Sequence, residues 1–203
     1  MKSYSQHGED VAILDLIAPG VARYAVDVGA NDGQSWSNSY LFGLEGYQLL
    51  LIEPMPEYAR RCRELYAAST NARVEEYAVA SEAGEATFFV NEDAATDQLA
   101  MRSSLARELV PSTQVNSITV KTIPLRQLLK RHGWPKSYAF LSVDAEGFDL
   151  DVLKSAALEE YRPSVICVEE GDAHGEISAY LFDAGYRHVS TLGPNGLYVA
   201  LPA

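Results

Sequence analysis

The chain has 203 residues, 47% of them apolar, enough for one buried core, and no apolar run approaches the roughly 20 residues of a membrane-spanning helix. Twenty-eight acidic against 16 basic residues give a formal charge of −12, which disfavours nucleic acid and anionic membrane as partners because both are bound through basic faces. With no leader pattern in Met1-Lys2-Ser3-Tyr4 and two cysteines, Cys62 and Cys167, at no metal-ligand spacing, the expectation is a cytoplasmic single domain over 1–203 that takes a small uncharged or cationic ligand.

In chain order, an N-terminal arm with a helix (1–20) precedes the strand YAVDV (24–28) and the strand YQLLLIE (47–53). MPEYARRCRELYAAS (55–69) has apolar residues at helical spacing, and RVEEYAVA (73–80) reads as a third strand. A polar, irregular stretch over 91–117 follows. Its Leu99, Arg102, Leu105, Ala106 and Leu109 fall on one side of a short helix, so a substrate lid is expected there, with Arg102 and Ser103 facing a pocket. Beyond it the pattern alternates: helix IPLRQLLKRHG (123–133), strand AFLSVD (139–144), helix GFDLDVLKSAAL (147–158), strand SVICVEE (164–170) and helix HGEISAYLFDAG (174–185). YRHVSTL and LYVAL, joined by GPNG, form a closing hairpin. Near-continuous Val/Ile/Leu strands alternating with helices predict an α/β fold whose mostly parallel, Rossmann-like sheet of about seven strands ends in an antiparallel hairpin. Cys167 is expected as a buried thiol, and Trp36 and Trp134 as packing residues.

The first strand runs into G-A-N-D-G (29–33), at the end of the sheet where open α/β folds bind ligands. Gly29 and Gly33 allow a sharp turn and a close backbone approach, although a glycine pair alone is also an ordinary strand-to-helix turn. Glu53, 20 residues after Gly33 at the end of LLLIE, can accept from both hydroxyls of a ribose. Turn and carboxylate together read as a nucleoside pocket. A dinucleotide site needs G-x-G-x-x-G to bring backbone amides to a pyrophosphate; Asn31 replaces the second glycine and Asp32 would repel phosphate, which disfavours NAD and ATP. S-adenosylmethionine has a ribose, no phosphate, and a cationic sulfonium and ammonium that Asp27 would welcome.

DVGANDG, SNSY, LLLIEPMPEY, AVASEAGEATFF, LSVDAEGFDLDVL and RPSVICVEE, in this order and preceded by YSQHGEDVAIL, resemble the FkbM-type S-adenosylmethionine-dependent methyltransferases over nearly the whole chain. The resemblance implies a Rossmann-like methyltransferase fold, with Asp27, Gly29, Asn31, Gly33, Glu53, Ala78 and Val79 holding S-adenosylmethionine and its product S-adenosylhomocysteine. It implies O-methylation, commonly of sugars, polyketides or other small metabolites. It also marks Asp144, Glu146 and Gly147.

Methyl transfer is an in-line displacement that needs alignment and a base for the acceptor proton. His7, on the arm, is the preferred base because an imidazole titrates near neutrality without tuning, with Asp144 and Glu146 orienting cofactor and acceptor and His174 in reserve. Gln6, Glu9, Asp10, Glu169, Glu170 and Asp172 are further candidates; for any one of them a helix-capping or solvated role is the simpler reading. A divalent ion held by a histidine and carboxylates is the second mechanism. An NAD-type oxidoreductase and a non-catalytic nucleoside-binding module are the other classes that stay open.

Overall fold

The computed structural model describes residues 1–91, 103–110 and 115–202. Its main sheet has seven strands in the order β3-β2-β1-β7-β8-β10-β9: β1 (Ala22–Val28), β2 (Gln48–Ile52), β3 (Ala72–Glu75), β7 (Ser137–Val143), β8 (Arg162–Glu169), β9 (Tyr186–Leu192) and β10 (Asn195–Ala200). β1, β2, β3, β7 and β8 pair in parallel, and β10 runs antiparallel to both β8 and β9. Side chains alternate across the sheet, so one strand feeds two cores. Val26, Val28, Leu50, Ile52, Leu141, Val143, Ile166 and Val168 enter one; Ala25, Leu49, Leu51, Phe140, Val165 and Cys167 enter the other. This two-sided burial is why the strands lack polar alternation.

Helices cover both faces. α4 (Leu125–Arg131), α5 (Asp149–Ser155) and α6 (His174–Asp183) supply Leu128, Leu129, Val152, Leu153, Ile177 and Leu181 to the first core. α1 (Glu9–Leu16), the five-residue α2 (Tyr40–Leu44) and α3 (Pro56–Leu65) supply Ile13, Leu41, Phe42 and Cys62 to the second. Both cysteines are buried free thiols. Trp134 packs edge-on against Tyr24 in the first core, as expected of it.

A second sheet departs from the sequence reading. The segment 73–80 is not one strand: β3 ends at Glu75, and β4 (Ala78–Val79) leaves for a three-stranded sheet of order β4-β6-β5. β5 (Gly84–Asn91) and β6 (Val115–Ile123) pair antiparallel from Gly84↔Thr122 to Asn91↔Val115. Only Phe88 and Asn91 are buried along β5, so no apolar pattern announces it. The edges of the expected lid, Asn91 and residues 115–117, are therefore strand. Within it, 103–110 is tied down by a bridge between Ser104 and Phe89, while Leu99 and Arg102 lie outside the described residues.

Candidate active site

β1 sits between β2 and β7 and the chain leaves the sheet in opposite directions on either side of it, so a crevice opens beyond the carboxyl ends of β1 and β7. Gly29 (φ 84), Asn31 (φ 49) and Gly33 (φ 80) all adopt left-handed backbone there. A Cβ on Gly29 would lie 1.9 Å from the Asp144 carbonyl oxygen, so the β1 and β7 ends meet only because residue 29 has none. Gly33 faces away: its missing Cβ leaves room for the Cys62 sulfur, 3.1 Å from that position. It seats the turn on α3 and lines neither of the cavities described below.

Glu53 organises the turn. It is buried, and its Oε2 accepts the Asn31 N–H and its Oε1 the Met55 N–H, both at 2.9 Å. Each oxygen keeps a second lone pair. Burial pushes the carboxyl up to about 7, against the two amide hydrogen bonds that lower it and with the nearby Asp27 charge adding to the rise. Asp27, buried at the end of β1, accepts from Ser39 Oγ at 2.5 Å and is raised to about 6, again by burial first. Asp144 is exposed to the crevice, and its carboxyl is raised well above the usual carboxylate range, first by desolvation between the crevice walls and then by the like charges of Glu169, Glu146, Asp149 and Asp27. Asp149 fixes the loop after β7, accepting the Ala145 N–H at 2.8 Å and the Gly147 N–H at 3.1 Å. Glu146 takes a left-handed φ of 48 there, and its carbonyl accepts from Ser104 Oγ at 2.9 Å.

Two cavities share this crevice. The first, about 720 Å³ to its open mouth, is lined by Glu53, Ala78, Val79, Glu146 and an apolar wall of Met55, Tyr58, Tyr77, Phe88, Leu105 and Phe148. Ser103 lines it too, as expected. The second, about 510 Å³, is polar: Gln6, Glu9, Asp27, Ser35, Trp36, Asn38, Ser142 and Asn195 contribute. Gly29, Asn31 and Asp144 belong to both. The buried Asn31 Oδ1 has no hydrogen-bond partner among the described residues.

The structure thus brings together Asp27, Gly29, Asn31, Glu53, Ala78, Val79, Asp144 and Glu146. It does not bring His7 with them. His7 is exposed, with its ring over Gly193, and lines neither cavity. His174 is 58% exposed and pairs with Glu170 at 2.8 Å; Glu170 is turned toward the Tyr198 hydroxyl and Glu169 lines neither cavity. The side chain of Asp172 lies outside the described set. Trp36 corrects the packing expectation: it is 41% exposed and walls the second cavity. The sequence reading missed Met55, Tyr58, Phe88 and Phe148 in the apolar wall of the first cavity and Asn38, Ser142 and Asn195 in the second. SNSY signalled the first of those three; nothing signalled Asn195, read as turn. Among the described residues, no three His, Cys, Asp or Glu side chains are arranged to hold a metal ion.

A model of the methyltransferase FkbM domain matches residues 27–188. The crystal structure of methyltransferase FkbM from Methylobacillus flagellatus KT aligns with a TM-score of 0.55 and 17% identity over 88% of this chain and 43% of that one. This chain therefore spans less than half the length of that protein. A precorrin-6y C5,15-methyltransferase from Geobacter metallireducens GS-15 aligns with a TM-score of 0.50 at 12% identity, covering 94% of this chain and 85% of that chain. The human methyltransferase 10 domain containing protein aligns with a TM-score of 0.50 at 14% identity over 94% of this chain and 79% of that one. At these identities the structural likenesses establish the fold. No curated protein sequence gives a significant match. The matched segment holds the β1 corner, Glu53 and Asp144, and it covers most of the chain: the chain belongs to the S-adenosylmethionine-dependent methyltransferases of the FkbM-domain family.

Proposed function

We propose that the protein transfers the methyl group of S-adenosylmethionine to a hydroxyl oxygen of a small-molecule acceptor, with 1–203 acting as one catalytic unit in the cytoplasm. The observation that carries this reading is the pair of cavities meeting at Gly29, Asn31 and Asp144. The residues present fit the cofactor. Glu53 keeps two lone pairs for ribose hydroxyls, the apolar wall suits a base, and the unpartnered Asn31 Oδ1 can accept from the amino-acid end. No Lys, Arg or His among the described residues lines either cavity, which suits a sulfonium and not a pyrophosphate. When bound, the cofactor supplies an electrophilic methyl carbon.

The chain's own part is alignment and proton transfer. Asp144 lies where both cavities meet, and desolvation by the crevice walls together with the neighbouring carboxylates raises its carboxyl above the ordinary range, the direction that favours a base. The base role therefore moves from His7, whose ring lies over Gly193, to Asp144. Glu146 and Asp149 hold the loop that carries it. No helix among the described residues is long and apolar enough to cross a membrane, and the absence of cationic lining among the described residues supports a small acceptor over a nucleic acid.

The test is formation of S-adenosylhomocysteine from S-adenosylmethionine over a panel of hydroxyl compounds, with wild type and Asp144→Asn. The expected result is hydroxyl-dependent turnover that the variant loses by about 10²–10⁴ in kcat. Full activity in Asp144→Asn would remove the base assignment; turnover only on RNA would remove the small-molecule reading.

A further inference from the structure

The stretch SQHGED at residues 5–10 lines no part of the first cavity, yet it is heavily tied down. Asp10 is fully buried. Its Oδ1 accepts from Ser3 Oγ at 2.7 Å, Ser5 Oγ at 2.9 Å and the Val11 N–H at 2.9 Å, and its Oδ2 accepts the Tyr4 N–H at 2.7 Å. Ser5 then forms a parallel bridge with Trp36, which lays the arm against the loop that follows the β1 corner. Trp36 itself holds a φ of 54, a conformation that bulky side chains rarely adopt, and its ring borders the second cavity.

Glu9 is the residue this clasp presents. It is fully buried, and it accepts the Asn195 side-chain N–H and the His7 backbone N–H, each at 2.8 Å, on different oxygens. Each oxygen has a further lone pair. Glu9 makes no ion pair with any described residue. A buried carboxylate left without a cation is costly. The second cavity holds Glu9, Asp27 and Asp144 and no cationic side chain among the described residues. A bound S-adenosylmethionine brings one net positive charge, set against Asp27 by the reading above, while Asp144 is assigned to the acceptor proton. That leaves Glu9, at the arm side of the same cavity, unmatched.

We propose that the arm selects the acceptor: Glu9 receives a protonated amine carried by the hydroxyl compound to be methylated, and the face of Trp36 at the mouth supports the same cation. Gln6, between the clasp and Glu9, lines the same wall. The inference rests on the methyl-transfer reading proposed above and places the acceptor in the second cavity. Compounds bearing phosphate or carboxylate are disfavoured by the same carboxylates.

The test uses two matched series, one on a hexose and one on cyclohexanol, in which one position carries an amine, a hydroxyl, an acetamide or a phosphate. Each is titrated into the protein saturated with S-adenosylhomocysteine, and read by Trp36 fluorescence in a Trp134→Phe background, where Trp36 is the remaining tryptophan of the two in the chain. The amine members are expected to bind about tenfold more tightly than their neutral partners, and Glu9→Gln to reduce that preference to about twofold with S-adenosylhomocysteine affinity unchanged. Equal or tighter binding of the hydroxyl, acetamide or phosphate members overturns the inference. So does a preference that survives Glu9→Gln, or no binding by either amine. If Glu9→Gln does not fold, the amine-against-acetamide comparison on the unsubstituted arm decides alone. Failure of S-adenosylhomocysteine itself to bind is a separate result, and it removes the cofactor reading and this inference with it.

Discussion

The ribose role of Glu53 makes a pH dependence that can be worked out in advance. Burial raises this carboxyl to about 7, and its two oxygens already accept backbone amides from Asn31 and Met55. Two further donors, the ribose hydroxyls, are accommodated only by the ionised form, which has no proton of its own to place. With a value near 7, about one-tenth of the carboxyl is ionised at pH 6 and about nine-tenths at pH 8, so affinity should tighten about tenfold over that range, ~1.4 kcal/mol. The assay is isothermal titration at pH 6, 7 and 8 with 5′-methylthioadenosine, which has the ribose and no amino-acid group to titrate or to reach Asp27. In Glu53→Gln the slope should vanish and the affinity at pH 8 should fall by about 1.5–3 kcal/mol. A wild-type affinity that is flat from pH 6 to 8, or that tightens toward acid, would refute the reasoning.

The same carboxyl sets a stability effect of opposite sense. Its folded value of about 7 lies above its ordinary 4.5, so the folded state holds the extra proton between them and the ligand-free protein should lose up to about 3 kcal/mol from this group as pH rises through that window. Urea denaturation at pH 5 and pH 8, wild type against Glu53→Gln, isolates it; an equal pH response in both would count against it. Gly29→Ala should cost about 3 kcal/mol or more, or prevent folding, because the new Cβ would meet the Asp144 carbonyl at 1.9 Å in a left-handed backbone; a urea midpoint near that of wild type would deny the close approach. S-adenosylhomocysteine should raise the melting temperature, in proportion to about 2.7 kcal/mol at a hundredfold excess over Kd, and NAD and ATP should not. Stronger protection by NAD would reverse the cofactor assignment.

What was legible in the sequence follows from how strongly physics constrained each residue. β1, β2, β7 and β8 are buried on both faces, and their apolar runs could serve few other purposes. Gly29 was legible because only glycine allows the approach to Asp144, and Glu53 because an acid at a strand end needs a partner. The β4-β6-β5 sheet was not, since β5 and β6 bury only Phe88, Asn91, Val120, Thr122 and Ile123 and carry no sustained apolar run, although the β-branched residues of VNSITVKTI favour a strand. The second cavity was only partly legible: its walls come from residues 6 and 9, 35–38, 142 and 195, which only the finished fold assembles. His7 drew attention as a histidine, a residue type suited to a base, yet residue type carries no position. The fold turned its ring onto Gly193 and presented Glu9 instead.

The most direct measurement is the fate of the methyl group itself. The protein would be incubated with methyl-deuterated S-adenosylmethionine and, in separate reactions, the small-molecule fraction and the RNA of a cell extract, and the labelled product identified by mass spectrometry and NMR. The expected result is a label on an oxygen of a small hydroxyl compound, absent with Asp144→Asn. A label on RNA, or on carbon or nitrogen of a small molecule, would contradict the account.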